Sequence, residues 1–102
     1  MVEIAWTEPA EADLAEVFDY VARDSREYAA RAVERILGAT GRLREFPASG
    51  RRLPELPRSP YREIIVGAHR VVYRYPTSTG GVLVVAVVHA GRLLPPILEA
   101  RG

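Results

Sequence analysis

Seven aliphatic residues in a row, Val82 to Val88, constrain this chain more than any other stretch. The run is far too short to cross a bilayer as a helix, which takes about 20 apolar residues. It also lacks the alternation of a strand with one wet face. It therefore predicts a strand buried on both sides, in the middle of a sheet. The rest of the sequence must supply its neighbours and its covering layers.

Further strands are legible by the same reasoning. Tyr61 to Val66 turns at Gly67-Ala68 into His69 to Tyr75, and both are rich in β-branched and aromatic residues. Pro76 to Gly81 is a turn into the aliphatic strand. Near the N-terminus Val2, Ile4 and Trp6 alternate with Glu3, Ala5 and Thr7, the period of a half-buried strand.

Between the first strand and the others lie two helical patterns. Thr7 or Glu8 opens the first, with Pro9 in the first turn, where a missing N–H costs nothing. Leu14, Val17, Phe18 and Val21 then form one apolar stripe. Asp24-Ser25-Arg26 makes a tight turn with Ser25 as N-cap. The second helix is expected over Arg26 to Glu45, burying Ala29, Ala32, Val33, Ile36, Thr40 and Leu43, and ending at Phe46-Pro47. So short a turn predicts an antiparallel helical hairpin. Residues 47–60 hold Pro47, Gly50, Pro54, Pro57 and Pro60 and read as a connecting loop inside a single domain spanning 1–102. The expected fold is α+β in the order β-α-α-β-β-β, the hairpin on one face of a mostly antiparallel four-stranded sheet and the other face open.

Composition narrows the chemistry. There is no cysteine, which removes disulfides and thiolate metal sites, and His69 and His89 are the only histidines. No metal or cofactor site is therefore expected. Residues 1–50 carry six Arg against ten acids (−4), and residues 51–102 carry eight Arg against three Glu (+5). The basic half suits an anionic or acidic partner, although a solvated arginine surface would look the same. All 14 basic residues are Arg, so no ammonium is available for tuning as a base, whereas guanidinium suits clamping phosphate or carboxylate. The N-terminus has no signal-peptide pattern, and a cytoplasmic protein without membrane contact is expected.

Several motifs, in order and spacing, resemble the RelE/ParE toxin superfamily of type II toxin–antitoxin systems, on its ParE-like branch. They are Trp6-Thr7-Glu8-Pro9-Ala10 with Ala12-Asp13-Leu14, Phe18-Asp19-Tyr20-Val21-Ala22, and Phe46-Pro47-Ala48-Ser49-Gly50-Arg51. Further along come Tyr61-Arg62-Glu63, His69-Arg70-Val71-Val72-Tyr73-Arg74 and Val85-Ala86-Val87-Val88-His89. The Phe-Pro-x-x-Gly-Arg signature is the one more typical of ParE-like members.

The resemblance implies one of two activities. ParE-like members poison DNA gyrase; RelE-like members cut mRNA in the ribosomal A site. It also implies a cognate antitoxin of ParD or RelB type and a toxin–antitoxin hetero-oligomer. A third option is an attenuated member whose main partner is its antitoxin.

By the same resemblance, Arg51, Arg62, Arg70, Arg74, His89 and Arg92 are candidates for binding target or antitoxin, and Arg62, Arg70, His89 and Arg92 for catalysis in a ribonuclease. Arg70 is the foremost: it shares a strand face with Val72 and Arg74, and a guanidinium there would stabilise charge on a phosphate. Its alternative is a structural arginine paired with an acid or with the antitoxin. One departure disfavours hydrolysis: no tyrosine follows Tyr75. Another bears on binding: Gly91 stands where the "H-x-R-R" of the ParE group has its first arginine, which takes away one basic contact and leaves Arg92. Trp6, Phe18 and Tyr28 are expected to pack in the core rather than form a stacking platform.

Overall fold

The computed structural model describes residues 1–91 and Leu98. Strand β1 (Ile4–Trp6) leads into helices α1 (Glu8–Ala22) and α2 (Arg26–Gly41), followed by a 3₁₀ turn at Arg42–Arg44. Then come β2 (Arg51–Arg52), β3 (Tyr61–Val66), β4 (His69–Arg74) and β5 (Val82–His89). The helices start where the caps predict. Thr7 Oγ1 accepts from the Ala10 N–H and Ser25 Oγ from the Tyr28 N–H, both at 3.2 Å. The α-helical part of the second helix is shorter than expected, because its last turn, after Gly38 and Gly41, tightens to 3₁₀ geometry.

Among the described residues the sheet has five strands in the order β1-β5-β4-β3-β2, one more than expected. The addition is Arg51–Arg52, two residues of the proline-rich connection that pair antiparallel with β3. So short a strand carries no periodicity for sequence reasoning to find. The aliphatic run lies inside the sheet, between β1, which is parallel to it, and antiparallel β4. At the β3–β4 turn Gly67 has φ +59°, which only glycine adopts without strain.

The pairing of β5 with β4 carries a bulge. Val72 faces Ala86 and Tyr73 faces Val84, so the register shifts by one residue at Val85. Val82, Val84 and Val87 consequently point into the core beneath the helices, with Val17, Ile36, Leu43, Val71 and Tyr73. Val85, Ala86 and Val88 point the other way.

That second face is not open, contrary to expectation. Val72, Val85, Ala86 and Val88 form a cluster closed by Leu53, with Leu56 packed against it, from the proline-rich connection, and by Leu98 from the C-terminal segment. Aliphatic groups on both sides of a strand each gain about 1.5–3 kcal/mol from burial, so a cover must be found for both. The connection supplies it with two leucines that have no periodic context.

Past Trp6 the chain turns into α1, and β1 offers β5 no partner beyond Val84. There Asp13 reaches from α1 and its Oδ2 accepts the Val87 N–H at 2.9 Å. The family-like Asp-Leu pair thus joins helix to sheet: Asp13 serves the backbone while Leu14 packs on the core.

Candidate functional site

The basic residues of the second half do not form one free patch. On the face opposite the helices, Arg51, Glu63 and Arg70 lie in a row across β2, β3 and β4. Arg51 is the register partner of Glu63, and Arg70 sits diagonally across β4. Glu63 is fully buried; one of its carboxylate oxygens accepts from Arg51 Nε at 2.6 Å and the other from Arg70 Nε. The outer edge of Arg70 is taken by Glu55 of the proline-rich connection, with Nη1 and Nη2 each 2.8 Å from one carboxylate oxygen. This fork-to-fork geometry is the strongest arrangement open to an arginine. It satisfies a guanidinium of which only 8% of the side chain is exposed.

The charges in this row balance: two guanidinium groups meet two carboxylates. Hydrogen bonding to Glu55, above all, and to Glu63 raises the Arg70 pKa above the ordinary arginine value. In return, the bond to Arg70 holds the Glu55 carboxyl below the usual carboxylate range. Arg70 does share its face with Val72, as the alternation predicted, and the pairing with acids that stood as its alternative role is present.

Arg62 lies on the opposite face, across from Tyr73. Its Nη1 donates to the carbonyls of Gly50 at 2.9 Å and Ala48 at 3.3 Å. The Tyr73 hydroxyl donates to Pro47 O at 2.7 Å and accepts from Gly50 N at 2.9 Å. Burial raises the Tyr73 pKa, which keeps the hydroxyl proton available for that bond. A Cβ on Gly50 would come within 2.6 Å of both the Tyr73 hydroxyl and the Glu63 carbonyl. The Phe-Pro-x-x-Gly-Arg segment is thus a loop seated by β3 and β4, and its glycine is required by close approach.

Arg74 is partly buried and lines a small hollow with Tyr61, Leu83, Val85 and Leu98. His89 stands directly across from His69, ring centroids 6.0 Å apart. The pair borders a groove of about 430 Å³ with Asp13, Glu16, Val17 and Tyr20, on the helix side of the sheet. Burial, and secondarily the neighbouring His89, lowers the pKa of His69. Arg92 lies outside the described residues. Arg62 and His89 therefore lie on the helix side of the sheet and Arg70 on the other, and these three candidates do not converge.

Sequence reasoning missed Glu55 and Glu63, the two acids that organise Arg70. An acid in β3 that shares a face with Arg70, diagonally across the predicted hairpin, was the available signal for Glu63; Glu55 is reached only through the loop conformation. Among the aromatics, Trp6 packs against the core and Phe18 borders an apolar groove with Trp6, Leu14, Val33 and Leu37. Tyr28 departs from expectation: it is 64% exposed and stacks with Arg31, whose guanidinium carbon lies 5.9 Å from the ring centroid. Its position in the first turn of α2 turns it away from the buried stripe. Among the described residues, no group of three or more His, Asp or Glu is placed to hold a metal ion, and no helix is long and apolar enough to cross a membrane.

The site thus consists of a hairpin of helices on this sheet, a clamped Phe-Pro-x-x-Gly-Arg loop and an arginine-rich β3–β4 ribbon. The chain belongs to the ParE toxin family of type II toxin–antitoxin systems, whose profile matches residues 4–94. Toxin RelE2 of Caulobacter vibrioides is 36% identical over 93 residues, covering 91% of this chain and all of that protein. A solved chain described as the chromosomal ParDE TA system from P. aeruginosa has the same fold, with a TM-score of 0.71 at 24% identity, covering 87% of this chain and 96% of that one. The protein is thus a toxin component, and its family membership supports a cognate antitoxin as its partner.

Proposed function

We propose that this toxin acts by binding DNA gyrase, without carrying out hydrolysis itself, and that a ParD-like antitoxin neutralises it in the cytoplasm. The observation that carries this reading is the separation of the groups a ribonuclease would use. A general acid, a general base and a charge-stabilising guanidinium must surround one phosphate within hydrogen-bonding reach. Arg70 instead spends its donors on Glu55 and Glu63, Arg62 turns its Nη1 to two loop carbonyls, and His89 sits beside His69 on the face of the sheet away from Arg70. The lack of any tyrosine after Tyr75 points the same way.

The name of the Caulobacter relative favours a second reading, a RelE-like ribosome-dependent mRNA endonuclease. One preparation tests both. The gyrase reading expects inhibited supercoiling or trapped DNA breaks, with ribosome-bound mRNA intact. A-site cuts in mRNA with untouched gyrase would overturn it.

A further inference from the structure

We propose that Glu55 is a built-in occupant of an oxyanion-binding site on Arg70, and that the site accepts an external oxyanion when Glu55 swings out. This goes beyond the gyrase reading and holds whichever macromolecule is the target.

The guanidinium is divided between two kinds of partner. Its Nε is committed to Glu63, a fully buried strand residue that Arg51 also holds. Its Nη1 and Nη2 edge meets Glu55, which belongs to no strand or helix and keeps 24% of its side chain exposed. The inner contact is part of the sheet. The outer one is made by a side chain that can leave by rotating about its own bonds, because the leucines on either side of Pro54-Glu55 carry the packing. Leu53 is fully buried, and Leu56 packs against the same cluster. Neither has to move.

Charge decides what a vacated position would become. With Glu55 gone, Arg51 and Arg70 face Glu63 alone, leaving one uncompensated positive charge on a largely buried guanidinium. The surroundings add to it, since residues 51–74 hold six Arg against Glu55 and Glu63. A buried cation missing the two hydrogen bonds of its outer edge is costly, so an anion with two oxygens at carboxylate spacing is drawn in. Carboxylate and phosphate both present such a pair to an arginine fork. Glu55 thus competes intramolecularly with any incoming group.

The test measures anion binding by Glu55→Ala, Glu55→Gln and the unaltered protein, following the side-chain Nε–H signal of Arg70 by NMR. Inorganic phosphate and acetate are the probes, at constant ionic strength. Both variants should show a saturable shift, with an apparent Kd about tenfold or more below that of the unaltered chain. Tighter binding of phosphate would identify phosphoester as the natural ligand chemistry; tighter binding of acetate would identify an acidic side chain. If Glu55→Ala does not fold, Glu55→Gln keeps the side-chain volume and carries the same comparison. No shift in a folded variant, or an equal shift in the unaltered protein, would overturn the proposal.

Discussion

The phenol of Tyr73 reaches from the helix-side core to the backbone of Gly50, its hydroxyl 2.9 Å from the glycine nitrogen. The same oxygen donates to Pro47 O, so one side chain seats both ends of the loop that precedes β2. Tyr73→Phe keeps the ring but strands a buried N–H and a carbonyl. It should cost about 1–3 kcal/mol, read as a lower urea midpoint with an unchanged slope. Gly50→Ala should cost a similar about 1–3 kcal/mol, through overlap with Tyr73 and the Glu63 carbonyl.

Glu63 and Arg51 form one ion pair with unequal consequences. Removing Glu63 leaves Arg70 buried without its inner partner, so Glu63→Ala should destabilise by about 3–5 kcal/mol. The Arg51 side chain is 62% exposed. Arg51→Ala should cost about 1 kcal/mol or less. Equal losses in chemical denaturation would mean that the row is not organised around the buried carboxylate.

Asp13 joins α1 to the edge of β5 through the Val87 N–H. Asp13→Ala should cost about 1.5–3 kcal/mol, the range for a hydrogen bond to a charged group. Hydrogen exchange offers a local check: the Val87 amide should lose protection more than that of Val71, which sits within the sheet.

His69 and Glu55 give stability a dependence on pH, with the same sign in two windows. The folded pKa of His69 lies below its ordinary 6.5, so the unfolded chain takes up the proton first as pH falls. Stability should therefore decline from about neutral pH downward through that value. His69→Gln should flatten the urea midpoint between about pH 7.5 and pH 5.5. The Glu55 carboxyl is held below its ordinary 4.5, so its contribution is complete above that value and is lost on further acidification through the folded pKa. Glu55→Gln should remove only this second, more acidic decline.

Two of the candidate binding arginines make a cellular prediction. Arg74→Ala and Arg92→Ala should each weaken growth inhibition, with melting temperatures close to that of the parent. Full toxicity in the double variant would remove both from the site. Arg70→Ala is a poor probe of function, because it also exposes Glu55 and Glu63 to loss of their partner. Arg70→Lys is more informative: it keeps the charge but cannot serve Nε and the outer edge together.

What the sequence made legible was whatever repeats or caps. The helical stripes, Thr7 and Ser25 as caps, the Gly67 turn and the central placement of Val82 to Val88 all follow from short-range rules, and the family-like motifs ordered them correctly. The missing parts depend on where a loop goes. Residues 51–52 become a strand only because β3 offers an edge. Leu53 and Leu56 become a cover only because the far sheet face is apolar. Arg70 was singled out from its motif, yet its environment is set by Glu55, 15 residues earlier on that same loop. A composition-based count of positive charge could not see that two of those charges are cancelled internally.

The bulge at Val85 also limits how this sequence can vary in length. Upstream of it, even-numbered residues of β5 face the helices; downstream, odd-numbered ones do, as Val82, Val84 and Val87 show. Deleting any one residue of the strand, even one valine from a run of near-identical neighbours, would cancel that offset. Part of the strand would then present its side chains to the wrong interior, or the pairing with β4 would have to slide. Substitutions among Val, Leu and Ala should be tolerated along β5 far better than a single-codon deletion, although the deletion changes the composition hardly at all.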